Sequence, residues 1–257
     1  MDFKLNILGT GAAVPAHGRF SAAQVLETPN KSFLIDCADG TQHQFLNCEV
    51  HSTRLSHIFI SHLHGDHCFG IPALLSTFGM KSHKNDIYIH SHPDLEPLLH
   101  PMLDYFCYDL GFKICFEPFD PLQSSVIYED RSLTVTTIPL VHSMPTCGFL
   151  FREKRENGAS YAYCSDTRYT ERIIPIIEGV DCLYHEATYA TPELQKARLH
   201  LHSTAAEAAT IAQKAGVKQL IIGHYSKRYD TIEPLLQEAQ AIFPATTAAY
   251  DGLKVRF

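Results

Sequence analysis

The apolar positions of this chain fall into short strand-like runs and longer helix-like ones. Residues 3–8 alternate apolar and polar, which predicts a strand, and residues 22–28 and 32–37 read as a hairpin around Pro29-Asn30. Ile58-Phe59-Ile60 ends another strand, and 87–90, 133–141, 147–151, 159–164, 181–186 and 219–223 read likewise. Asn157-Gly158 signals a hairpin between two of these, Asp130-Arg131 a turn, and Asp251-Gly252 a final hairpin. Helical patterns cover 41–48, a segment bent at Gly70-Ile71-Pro72 and running through Phe78, 93–106, 170–178, 204–215 and 231–243. Thr204 and Glu207 have capping-box spacing, which predicts a helix start just after His202. No repeat, linker or low-complexity tract interrupts this alternation, so the expectation is one α/β domain over residues 1–257.

Composition narrows the picture in three ways. An apolar fraction of 45% supports a packed core. The net charge of −7, spread along the chain, argues against a basic coat for nucleic acid but leaves room for a local phosphate site. Eight cysteines are dispersed with no CxxC pair, and Met1-Asp2-Phe3-Lys4 leads straight into strand pattern rather than a signal peptide. Those features predict reduced thiols in a cytoplasmic protein, with no membrane span.

The sixteen histidines change the picture most. Ser61-His62-Leu63-His64-Gly65-Asp66-His67 places three imidazoles and a carboxylate directly after a strand. Imidazole nitrogen and carboxylate oxygen are ligands for zinc and similar divalent ions. A strand end lets His62 and His64 reach one side, and a helix starting near Asp66 turns Asp66 and His67 toward an adjacent point. That suits two metals roughly 3.5–4 Å apart. His142, Asp166 and His224 also follow apolar strands. Singly, each is an ordinary strand-end residue; together with the first cluster they make seven ligands. His62, His64 and His142 would hold one ion, Asp66, His67 and His224 the other, with Asp166 bridging.

These residues, with Leu8-Gly9-Thr10-Gly11, Asp36-Cys37-Ala38-Asp39-Gly40-Thr41, Ser165-Asp166-Thr167, His185-Glu186-Ala187-Thr188, His202-Ser203-Thr204 and His224-Tyr225-Ser226-Lys227-Arg228-Tyr229, resemble the metallo-β-lactamase superfamily and its ribonuclease Z (tRNase Z) branch. The resemblance implies an α/β (α+β) fold, a four-layer αβ/βα sandwich of two facing mixed sheets. It also implies a phosphodiesterase holding two Zn²⁺ (Mn²⁺ and Fe²⁺ suit the same donors), a metal-bridging hydroxide as nucleophile, and a homodimer. Asp66 would orient the water and take its proton. By similarity to the family, Glu186 and His202 pair, with His202 protonating the leaving oxygen. Ser226 and Arg228 are candidates for holding a substrate phosphate, an ion pair being the equal alternative for Arg228.

The sequence departs from that branch in one large way. Most bacterial-type members of that branch carry a long tRNA-gripping arm between the equivalents of His142 and Asp166; only 23 residues separate them here. Pro15-Ala16-His17-Gly18-Arg19-Phe20 and His92-Pro93 are also altered. Two functions therefore stand. The first is an endoribonuclease cleaving tRNA precursors at the 3′ side. The second is an arm-less phosphodiesterase for small phosphodiesters, cyclic nucleotides or short oligonucleotides. A metallohydrolase for thioesters, lactones or sulfate esters is a third class, disfavoured by Glu186 and His202, and a binding module is the weakest.

Overall fold

The computed structural model describes residues 3–107 and 109–257. Its contacts gather into two compact units, one ending at Asp120 and including Tyr250–Arg256, the other made of Pro121–Ala249 and Phe257.

The first unit holds β1 (Lys4–Gly9), β2 (Ala23–Glu27), β3 (Ser32–Cys37), β4 (Leu55–Phe59), β5 (Ile87–Ser91) and β6 (Ile114–Pro118). It also holds α1 (Thr41–Asn47), α2 (Gly65–Cys68), α3 (Ile71–Met80) and α4 (Leu95–Phe106). β1, β2 and β3 pair antiparallel, and β3 through β6 run parallel. Parallel neighbours need crossover segments, which α1 supplies between β3 and β4, α2 and α3 between β4 and β5, and α4 between β5 and β6. Ile71, Leu74, Leu75 and Phe78 recur at helical spacing on one face of α3 and are buried. They join Leu34, Ile58, Ile60 and Ile89 in one apolar core. The alternate residues His57 and Phe59 stack instead on His90 and pack at a tilt against Phe33.

The second unit holds β7 (Val126–Glu129), β8 (Leu133–Pro139), β9 (Cys147–Glu153), β10 (Ser160–Cys164), β11 (Cys182–Glu186), β12 (Gln219–Gly223) and β13 (Thr246–Ala248). Its helices are α5 (Ile174–Ile177), α6 (Leu194–His200), α7 (Ala205–Ala215) and α8 (Glu233–Gln240). β7 to β10 are antiparallel, and β10 to β13 are parallel. α7 starts on the expected capping box, in which Thr204 accepts from the Glu207 amide and Glu207 reaches back to the Thr204 amide. Gly216 ends it at φ 62°, a left-handed conformation that glycine adopts without strain. Five of the side chains α7 buries are alanines, which lets its backbone lie close to the sheet.

Several local expectations change. The Gly70 bend is a full break between α2 and α3. A Cβ on Gly70 would strike the Ala38 carbonyl, so the chain passes there without a side chain. β8 stops at Pro139, before Val141, and the 170–178 helix reduces to a 3-10 turn at Glu171–Ile173 and α5. α6 has no counterpart in the sequence reading. Asp251-Gly252 does not close a hairpin. β13 pairs parallel with β12, whereas β14 (Lys254–Arg256) pairs antiparallel with β1. The β9–β10 hairpin is present as expected, with Asn157-Gly158 inside its turn, where the Gly158 amide donates to the Arg155 carbonyl at 3.0 Å. No arm leaves this hairpin. None of the eight cysteines is in a disulfide, and seven of them are buried. No helix among the described residues is long and apolar enough to cross a membrane.

Candidate metal and catalytic centre

In the first unit, β4 delivers Ser61 and His62, and α2 starts one residue before Asp66. Asp36, wholly buried near the end of β3, organises the group. Its Oδ1 accepts the Ser61 amide at 2.8 Å, while Oδ2 accepts the Ser61 hydroxyl at 2.9 Å and His67 Nδ1–H at 2.7 Å. A carboxylate only accepts, so the Ser61 proton is committed to Asp36. Ser61 Oγ must then accept from His62 Nδ1, 3.0 Å away. Both imidazoles are thereby fixed as Nδ1–H tautomers with bare Nε2 atoms, the arrangement that partner carboxylates impose on metal-binding histidines. His62 Nε2 lies 3.0 Å from His64 Nδ1, and His67 Nε2 lies 3.5 Å from Asp66 Oδ2. Asp66 Oδ2 also accepts the Ala13 amide at 2.8 Å.

The second unit repeats the device. His142 Nδ1 donates to the Leu201 carbonyl at 3.2 Å. Thr188 Oγ1 donates its one proton to Glu186 Oε2 at 2.6 Å, the nearer of its two oxygen neighbours, and so accepts His224 Nδ1–H at 3.0 Å. The bare Nε2 atoms face Asp166: His142 lies 3.5 Å from Oδ2 and His224 2.9 Å from Oδ1. One carboxylate thus turns a different oxygen to each of two histidines. An imidazole lone pair and a carboxylate oxygen at 2.9 Å repel unless a cation stands with them. The residues present therefore fit divalent metal, and burial, which holds the His142 pKa below its ordinary value, keeps that ring in the neutral form a metal requires. Asp36, Asp166 and His224 all take positive φ, at 57°, 63° and 58°. Such backbone costs about 1–3 kcal/mol per residue and gathers at functional sites.

Glu186 and His202 form the expected pair, with His202 Nδ1 2.9 Å from Glu186 Oε1. The carboxylate also accepts the Thr167 amide at 2.6 Å, the Thr188 hydroxyl at 2.6 Å and the Ser203 amide at 3.1 Å. Four donors saturate it, so Glu186 serves His202 rather than a metal, although both lie within 4.8 Å of ligand atoms of Asp166 and His224. Burial works against both charges, but each partner favours the other's charged form. Glu186 is held below the ordinary carboxylate range and His202 above the ordinary imidazole value. Arg228 donates to Ser226 Oγ at 3.0 Å and to Glu193 Oε2 at 2.8 Å, and it lies over the Tyr189 ring. Its guanidinium is engaged in an ion pair.

The sequence reading assigned no role to Asp36, Ser61 or Thr188. The signal was available for Asp36, a carboxylate inside the apolar run of β3, the same placement that marked the ligands. Ser61 and Thr188 carry no such mark, because hydroxyls at strand ends are common.

Residues 3–245 match the family described as Anti-Pycsar protein Apyc1. A protein of Phocaeicola vulgatus named ribonuclease Z is 45% identical, covering 98% of this chain and 97% of its own. That alignment spans 299 positions against 257 residues here, so at least 42 of its positions lie opposite gaps in this chain. The crystal structure of human tRNase Z, short form, superposes with a TM-score of 0.85 at 29% identity, covering 99% of this chain and 98% of that one. The metallo-β-lactamase fold protein YhfI from Bacillus subtilis gives 0.82 at 21% identity over the whole of both chains, a likeness of fold alone.

Proposed function

The chain belongs to the metallo-β-lactamase-fold family that ribonuclease Z and the Anti-Pycsar protein Apyc1 share, and from that premise we propose that it is a metal-dependent endoribonuclease cleaving tRNA precursors at the 3′ side. The observation that carries this reading is the Asp166 carboxylate with one oxygen toward each of two deprotonated imidazole nitrogens, next to a saturated Glu186–His202 pair. His62, His64, Asp66, His67, His142, Asp166 and His224 are the metal ligands in this proposal. Two divalent cations, zinc for this nitrogen and oxygen set, would bring the pKa of water toward neutrality and neutralise charge developing on the phosphate. Asp66 orients the attacking water through the carboxylate that Ala13 holds in place. His202 gives its proton to the leaving oxygen, and Glu186 keeps Nδ1 protonated and the ring aimed. Residues 1–257 act as one domain, since the relatives align across nearly the whole chain.

A homodimer in the cytoplasm completes the proposal. Eight cysteines without a disulfide among them suit a reducing compartment. Family resemblance suggests the dimer, and α4 adds an exposed apolar stripe in which Leu98, Met102 and Tyr105 follow helical spacing at 64%, 44% and 77% exposure.

A second reading, an enzyme for small phosphodiesters, is favoured by the plain β9–β10 hairpin and by the 42 or more alignment positions missing here. One assay separates the two: 3′-extended precursor tRNA beside bis(p-nitrophenyl) phosphate, each with Zn²⁺ or Mn²⁺. Cleavage of the precursor at the end of its acceptor stem is expected. Rapid ester hydrolysis with untouched tRNA would sink the first reading and leave the second.

A further inference from the structure

Two aromatic rings stand at the surface, one on the His62–His67 segment and one on the loop that reaches Asp66, and each is seated on a glycine. Phe69 directly follows α2 and is 72% exposed. Its ring covers Gly65, where any side chain would collide with it. Phe20 is 39% exposed, and a Cβ on Gly40 would stand 2.9 Å from its ring. The backbone beneath Phe20 is pinned. Its amide donates to Asp251 Oδ2 at 2.6 Å, and its carbonyl accepts from Thr10 and Gly11 at 2.9 and 2.8 Å. The same loop reaches the candidate ligand Asp66 through the Ala13 amide. The close approach of Gly70 to Ala38 brings Phe69 beside the segment that carries Gly40.

Rings held in this way are pre-oriented yet wet. The charge of −7 denies this chain the broad electrostatic grip most RNA-binding surfaces use. Base stacking on aromatic rings does not depend on that charge, and it selects unpaired bases over duplex. We propose that Phe20 and Phe69 form a stacking platform for the unpaired nucleobases flanking the scissile phosphodiester. The proposal rests on the ribonuclease reading above and assigns the held part of the substrate to single-stranded RNA.

The test is stopped-flow quenching of a short single-stranded oligoribonucleotide carrying 2-aminopurine, with full-length metal-loaded protein. Phe20→Ala and Phe69→Ala are each expected to weaken binding between about five-fold and a hundred-fold, the range for losing one stacked base. Phe20→Trp and Phe69→Trp should retain the affinity, which separates stacking from a folding defect. A control oligonucleotide abasic at those positions, carrying fluorescein at its far end and followed by anisotropy, should bind all five proteins equally weakly. Equal affinity of the wild type and the alanine variants for the intact oligonucleotide would overturn the platform. So would alanine variants that change the sedimenting species while RNA affinity stays put, since the rings would then cover a protein contact. If the wild type processes precursor tRNA but the rings do not matter, the platform falls and the ribonuclease reading stands. If bases bind through the rings but no RNA is cut, the reverse holds.

Discussion

Asp36→Asn tests the reasoning about the centre most directly. Asparagine is isosteric and tolerates the φ of 57° about as well as aspartate, so backbone strain drops out of the comparison. What changes is proton accounting. Asp36 accepts three hydrogen bonds, and through them it makes Nδ1 the protonated atom on both His62 and His67. If the amide oxygen stays on the Ser61 N–H, the amide NH₂ replaces Oδ2 and faces the Ser61 hydroxyl and His67 Nδ1. His67 then relieves the clash of two donors by moving its proton to Nε2, the atom proposed to bind metal. Ser61, no longer giving its proton to a carboxylate, is free to donate to His62 Nδ1 and to shift that ring too. Loss of one such partner lowers metal affinity about 10- to 100-fold, or about 1.4–2.7 kcal/mol. With two imidazoles affected, the upper end is expected. Competition with a chromophoric chelator measures the zinc affinity, and ¹⁵N NMR of the histidine rings reads the tautomers without relying on turnover. Zinc affinity unchanged from wild type, in a variant with normal circular dichroism, would refute the proposed hold of Asp36 on the ligands.

Three further outcomes follow from the structure. His202→Ala should keep its metals, measured by mass spectrometry, yet lose about 10²–10⁴-fold in turnover, the usual share of general acid–base catalysis; loss of metal would undermine the role given to His202. Burial, reinforced by the neighbouring His57, pushes His90 down to about 3, so this ring stays neutral while folded. The unfolded chain takes up that proton below about pH 6.5, so the contribution is fully present above that value and is lost as pH falls toward 3. Denaturant melts at pH 5 should show about 2 kcal/mol less stability from this group than at pH 7, and His90→Asn should flatten that slope. Gly70→Ala forces a methyl into the Ala38 carbonyl and should cost about 1–3 kcal/mol, read calorimetrically as a melting temperature lower by roughly 2–10 °C.

Much of the centre was legible in the chain because its signals are local. A strand end is marked by the run of apolar residues before it, and ligand chemistry is a property of residue type. His62, His64, Asp66, His67, His142, Asp166 and His224 could all be picked out in this way, and the Thr204–Glu207 box placed the start of α7. The Glu186–His202 pair needed the family resemblance, since neither residue has a local signature of catalysis. The structure adds the bond between them.

Other features depend on contacts between residues far apart in sequence, and no local pattern encodes those. Asp36 commands His67 across 31 positions, and Thr188 holds His224 across 36. The four donors that remove Glu186 from the ligand set come from three separate segments. Asp251-Gly252 looks like a hairpin turn by composition, yet β13 and β14 each find a better edge elsewhere, β12 for one and β1 for the other. Residue type therefore determined which atoms could bind metal. Only the tertiary structure decided which of those atoms carry a proton, because a tautomer is set by the group on the far side of the ring.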